Sequence, residues 1–246
     1  MANKIDAALN RLVEELRAAH GENLSSIVLY GSVAAGDHVE LRSDHNLLIV
    51  FDRIASEDLR LSHETMRDWL SHGQPMPVYF TVEELKRGAD VFPIEFLQME
   101  QARKVLYGRD PFEFVDISSA NLRHQTEYEL RTKLIQLRRL YIPASISVEK
   151  LSALMSDSLA SFAALFRAVL ILHGQEPAVS KADTVRAIAR LLKLEESSFE
   201  RIFALRSKPG SKLTETEANT VFSAYMDQIE RVIEAVDEME SQNREP

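Results

Sequence analysis

Two short runs hold the residues best suited to chemistry. Gly31-Ser32 closes the apolar run Ile27-Val-Leu-Tyr30, and Ser43-Asp44-His45-Asn46 opens the apolar run Leu47-Leu-Ile-Val-Phe51. Glycine lets a backbone come close to a phosphate, and an adjacent hydroxyl and N–H can hold the phosphate oxygens. Asp44 offers a carboxylate to a hard cation. Asn46 offers only an amide oxygen, without negative charge. Residues two apart on an extended strand, as these are, project from the same side.

Other chemistry-bearing residues lie further along. Arg167 is the only charged residue between Asp157 and His173, in a stretch apolar on nearly every side. An unpaired charge in such surroundings is costly, so Arg167 should pair with a carboxylate of another helix; the alternative is an anion in an interdomain cleft. Arg131, Lys133, Arg138 and Arg139 form a basic set, read as a solvated face or as a contact for an acidic substrate. Glu127 and Glu129 precede it. The seven histidines show no metal-ligand spacing, and the absence of cysteine excludes disulfides and thiolate metal sites.

The elements that must position these residues can be read from periodicity. Ile5, Leu9, Leu12, Val13 and Leu16 predict a helix ending near Gly21. Buried strands are expected over Ser25–Tyr30 and Leu47–Phe51, then a helix with Leu59, His63, Met66 and Leu70 on one face. Val78–Phe80 reads as a third strand, and Thr81-Val-Glu-Glu84 as a capping box, in which hydroxyl and carboxylate each satisfy a free backbone N–H. Ile94–Leu97 reads as a fourth strand, before a short helix stopping at Gly108. Beyond Asp110-Pro111 only helices are expected: one ended by Pro143, one from Ser147 to His173-Gly174, and capping-box starts at Ser180 and Thr214. The last helix places Val221, Phe222, Tyr225, Ile229, Val232 and Val236 on one face. The expected class is α+β: a small mixed sheet flanked by helices over residues 1–115, then an all-helical bundle over 116–246.

Bulk properties set bounds. With 45% hydrophobic and 27% charged residues, the chain has the balance of a soluble globular protein. A net charge of -9 argues against broad nucleic-acid binding. The N-terminus lacks the apolar core of a signal peptide, and the most apolar run, Leu159–Leu172, is shorter than a membrane span. A cytoplasmic protein without a membrane partner is expected, and a homodimer is compatible with these patterns.

The ordered combination of a strand ending in Gly31-Ser32 and Ser43-Asp44 leading into a second strand resembles the nucleotidyltransferase superfamily, the polymerase-beta-like group that includes aminoglycoside nucleotidyltransferases. The motif resemblance covers roughly residues 20 to 110; Thr81-Val-Glu-Glu-Leu85 and Val105-Leu-Tyr-Gly108 also look like segments of bacterial members. It implies transfer of a nucleoside monophosphate from a nucleoside triphosphate to a hydroxyl of a small molecule or protein. Gly31, Ser32 and Ser43 would bind nucleotide, and Asp44, helped by Asn46, would hold Mg²⁺ and act in catalysis. In that family three carboxylates hold two Mg²⁺ ions about 4 Å apart. Here Asn46 takes the second position, Val78 the third, and Ala34-Ala35 stands where the turn arginine is usual. Activity is therefore expected to be weakened or lost. The alternative is a non-catalytic nucleotide sensor or protein-interaction module, a pseudoenzyme. A helical-domain carboxylate serves as general base in aminoglycoside-modifying relatives, a role open to Glu127 or Glu129. Arg167 and His173 also loosely match the Arg-to-His spacing of helical ribonuclease toxins that accompany small nucleotidyltransferases, which would make the helical half a toxin-like or regulatory partner.

Overall fold

A computed structural model of the chain describes residues 2–31, 33–34, 44–176, 180–207 and 213–242. The chain divides into two compact units, Met1–Ser118 and Ser119–Pro246. In the first, α1 (Ala2–His20) leads into β1 (Leu24–Tyr30) and β2 (Asn46–Phe51), then α2 (Ser56–Leu61), α3 (His63–Ser71) and β3 (Val78–Thr81). α4 (Val82–Gly88), α5 (Pro93–Gln101), β4 (Arg103–Gly108) and a 3₁₀ turn (Pro111–Phe114) complete it. The sheet order is β3-β2-β1-β4; β1 is antiparallel to both neighbours and β2 is parallel to β3.

Strand alternation divides this unit's core between the two sheet faces. Ile27, Leu29, Leu47, Ile49 and Phe51 pack with Leu9, Leu12 and Leu16 of α1 and with Met66 and Trp69 of α3. Val28, Leu48 and Val50 point the other way, against Leu85 of α4, Phe96 and Met99 of α5, and Phe112. Both faces are covered, which is why β1 and β2 are continuous apolar runs rather than alternating ones.

The end of this unit differs from expectation. Ile94–Leu97 is not a strand but lies within α5, which Pro93 opens with its preset φ. The strand comes later, at Arg103–Gly108, where the sequence pattern predicts a helix; Val105 is β-branched and Tyr107 aromatic, and both pack on the sheet with Leu106. Gly108 ends β4 at φ +78°, and a Cβ there would lie 1.9 Å from the Ser25 carbonyl oxygen. The helix expected around Leu59–Leu70 is broken at Ser62 into α2 and α3, and Leu59 and Leu70 are exposed while Thr65, Met66 and Trp69 are buried. Thr81 caps α4 as expected: its hydroxyl accepts from the Glu84 N–H, and the Glu84 carboxylate accepts from the Thr81 N–H.

In the second unit, α6 (Ser119–Ala144) includes Pro143 in its last turn, so the helix ends one residue beyond the proline. α7 (Val148–Leu172) follows, capped by Ser147, then α8 (Lys181–Leu191), α9 (Glu196–Ser207) and α10 (Glu215–Gln242). α7 is long and apolar enough to cross a membrane by length and composition, a longer stretch than the apolar run seen in the sequence. Its apolar surface has a plain use: α6, α8, α9 and α10 all pack on it, burying Leu151, Met155, Leu159, Phe162, Phe166 and Val169. Val221, Phe222, Tyr225, Ile229, Val232 and Val236 of α10 are all buried, as their spacing predicted.

Candidate functional site

The candidate site forms at the end of the sheet where β1 stops and β2 begins. Gly31 has φ +86°, a left-handed conformation that glycine adopts without steric cost. Its N–H donates to the Ala102 carbonyl just before β4 (2.9 Å), so this amide is spent on holding the turn and is not a phosphate donor. A Cβ on Gly31 would sit 3.3 Å from the Asn46 amide nitrogen. The strand register explains this proximity, since Tyr30 lies opposite Asn46. Tyr30 also lies opposite Arg103 on its other side. Residues directly opposite share a face, so Asn46, Tyr30 and Arg103 form one row across β2, β1 and β4. Tyr30 packs among the side chains around Val28, Leu48 and Phe112, and burial pushes its phenol pKa up.

Asp44 lies two residues before the strand-opening Asn46 and is exposed. The side chains of Asp44, Asn46 and Tyr30 make no hydrogen bond to a described residue. His45, between them, is committed elsewhere: its N–H donates to the Gln74 amide oxygen (2.9 Å), and its ring meets Trp69 edge-on. Val78 lies opposite Leu48 and therefore shares the face of Asn46 on the neighbouring strand. Ser32 and Ser43 lie outside the described residues, as do Asp37 and Glu40 of the intervening segment. Among the described residues no group of three or more His, Cys, Asp or Glu side chains is assembled to hold a metal ion. Asp52 is tied down at the far end of β2, where it accepts from the Ser25 hydroxyl.

One cluster at this end escaped the sequence reading. Asp110 accepts two hydrogen bonds from the Arg103 Nε (2.8 and 3.1 Å), and the Arg103 Nη2 lies 2.8 Å from the same carboxylate. Asp110 also caps the following turn through the Phe112 N–H, and the guanidinium lies 5.4 Å from the centroid of the Phe112 ring. The Asp110-Pro111 dipeptide, a cap followed by a turn-opening proline, was the only sequence signal that pointed there.

In the helical unit three of the residues that invite functional readings, Glu127, Arg131 and Arg138, are ion-paired. Glu127 binds Arg123 (2.9 Å) and Arg131 (2.7 Å), while Arg131 also reaches Asp237 and Arg138 reaches Glu230 of α10. Arg131 and Arg138 of the basic set thus join α6 to α10. Burial pushes the Glu127 pKa up, but the hydrogen bonds and charges of Arg131 and Arg123 outweigh it and hold the carboxyl below its usual range. Such a carboxylate is a weak base. Arg167 is half-buried and has no ion pair with any described residue, so the expected carboxylate partner is not among them. His173 follows α7, with its Nε2 buried and unbonded among the described residues and its pKa lowered by burial.

No protein-family model matches the chain, and no curated protein matches it. Among solved structures it is similar to a spectinomycin adenyltransferase from Enterococcus faecialis, determined with ATP and spectinomycin. The TM-score is 0.55 at 15% identity, covering 93% of this chain and 98% of the other. The fold is nucleotidyltransferase-like. The likeness runs through the small mixed sheet with its helices and on into the helical unit, so the α+β class expected from sequence holds along nearly the whole chain.

Proposed function

We propose that this protein binds a nucleoside triphosphate at the Gly31 end of its sheet, and that its capacity to transfer the nucleoside monophosphate to a hydroxyl acceptor is weakened or lost. The observation that carries this reading is the composition of this face of the sheet at its Gly31 end. Asn46 stands beside the Gly31 turn, and Val78 occupies the same face of β3, at positions where the resemblance calls for acids. Asp44 alone keeps its charge. An amide and a single exposed carboxylate fit one hard cation held weakly; they do not fit a centre that gathers two divalent ions by charge. Gly31, Ser32 and Ser43 would contact the nucleotide, with Asp44 and Asn46 holding the one Mg²⁺.

The neighbour crystallised with ATP and spectinomycin supports a nucleotide and a small-molecule acceptor as the ligand classes to try first. A non-catalytic sensor is the second reading, favoured by the same loss of ligand charge.

Thermal-shift titrations with ATP, GTP, CTP and UTP, with and without Mg²⁺ or Mn²⁺, test the binding half. A nucleotide-dependent rise in midpoint is expected, and no shift with any nucleotide would remove both readings. Asn46→Asp alone is expected to leave pyrophosphate release slow, because Val78 still lacks the other acid. Robust turnover by that variant would show that the third ligand lies elsewhere.

A further inference from the structure

We propose that Arg103 is a polyphosphate-binding residue, supplying at the Gly31 end of the sheet positive charge that metal ions would otherwise bring. The assignment rests on the nucleotide-binding reading above and names a contact for it. Of the four strands only β4 carries cationic side chains, Arg103 and Lys104. Lys104 lies opposite Leu29 and so faces the α1 side of the sheet. Arg103 lies opposite Tyr30, in the row that contains Asn46, and follows Ala102, whose carbonyl holds the Gly31 N–H. With neighbouring strands about 4.8 Å apart, the Arg103 and Asn46 backbones are separated by roughly 10 Å, a gap that a triphosphate and an arginine side chain can span together.

The guanidinium is oriented but not used up. Asp110 takes its Nε and Nη2 donors, the Glu100 carbonyl takes one donor of Nη1, and Phe112 supports its plane. An arginine carries five N–H groups, so two remain for a ligand. The side chain retains 24% of its surface exposure, and that of Asp110 retains 22%, so water-borne anions can reach the pair. A fixed, planar fork of donors suits phosphate oxygens, and holding it in advance lowers the entropic cost of binding. Asp110 plays two opposing parts: it orients the fork, and it competes with phosphate for the charge.

That opposition makes the proposal separable from a purely structural clamp. Isothermal titration of the full-length protein with ATP, and with inorganic tripolyphosphate, in EDTA and in Mg²⁺, should show Arg103→Met weakening binding about tenfold or more. The thermal midpoint is read in parallel. Asp110→Asn keeps the cation and removes its competitor, so it should bind as tightly as wild type or more tightly, and Arg103→Lys should recover part of the loss. If Arg103→Met fails to fold, Asp110→Asn still decides, because a clamp would lose binding along with the pair. Wild-type affinity in Arg103→Met, or equal loss in Arg103→Met and Asp110→Asn, overturns the proposal. A wild-type protein that binds neither probe removes the nucleotide reading itself and this contact with it. Weakening toward ATP but not toward tripolyphosphate would place Arg103 on the nucleoside and also contradict it.

Discussion

At the seam between α6 and α10, Arg123, Glu127, Arg131, Arg138, Glu230 and Asp237 are bonded to one another across two helices; at the Gly31 end of the sheet, the side chains of Asp44, Asn46 and Tyr30 are bonded to no described residue. Both regions carry polar side chains. They differ in whether the fold consumes that polarity. Paired charges contribute to holding helices in register, whereas uncommitted ones contribute little to stability and are available to a ligand. The contrast supports the proposal that the chemistry lies at the sheet, and Glu127 is engaged in ion pairs with Arg123 and Arg131.

Substitutions can break this contrast. Glu127→Ala should have the largest effect, destabilising the protein by about 3 kcal/mol in denaturant unfolding, since it removes the carboxylate that pairs with both Arg123, whose side chain is only 11% exposed, and Arg131. A loss below about 0.5 kcal/mol would show that the seam is ornamental. Gly31→Ala should cost about 1–2 kcal/mol, because φ +86° is strained for alanine and the new methyl crowds the Asn46 amide. It should also weaken nucleotide binding, and an unchanged unfolding midpoint would mean that the turn relaxes freely.

Acid should act next. His20 is buried, its Nε2 bonded to the Ser62 hydroxyl (2.9 Å), and its pKa is lowered by burial, with Asp58 opposing. The folded protein therefore binds fewer protons than the unfolded chain, so stability is full above the ordinary histidine pKa of about 6.5 and declines as pH falls below it. His173 adds to the same trend. Glu127 acts lower, its contribution being lost only as pH falls through its depressed carboxyl pKa, beneath the usual glutamate range. Unfolding curves from pH 8 to 4 on wild type and His20→Gln should show a flatter profile in the variant between pH 7 and 5. The smallest change belongs to the site itself: Asp44→Ala should alter stability by less than about 0.5 kcal/mol, because the carboxylate is exposed and unbonded to described residues.

Much of the first unit was legible because buried strands and glycine stops are local signals. The run Ile27–Tyr30 with Gly31 after it, and Leu47–Phe51 after Asn46, fixed β1 and β2, and strand parity then put Asn46 on one face with Val78. Ile94–Leu97 misled because four apolar residues fit a buried helix turn as well as a strand, and the covering of Phe96 and Met99 by the sheet decides between them. Leu59 and Leu70 misled because Ser62 breaks the helix and resets its phase. The Arg138–Glu230 and Arg131–Asp237 pairs were illegible for a simpler reason: their partners lie about a hundred residues away, and nothing local announces them. The Arg103–Asp110 pair is near in sequence, yet its significance depends on the register that sets Arg103 opposite Tyr30.

We propose that the nucleotidyltransferase-like sheet binds a nucleotide but lacks the charges that drive transfer. Pyrophosphate release from each nucleoside triphosphate, measured with Mg²⁺ and with Mn²⁺ on wild type and on Asp44→Ala, tests it most directly. Release at or near the rate without protein is expected from both, although nucleotide titration should show saturable binding by wild type. Fast release by wild type that disappears in Asp44→Ala would contradict it.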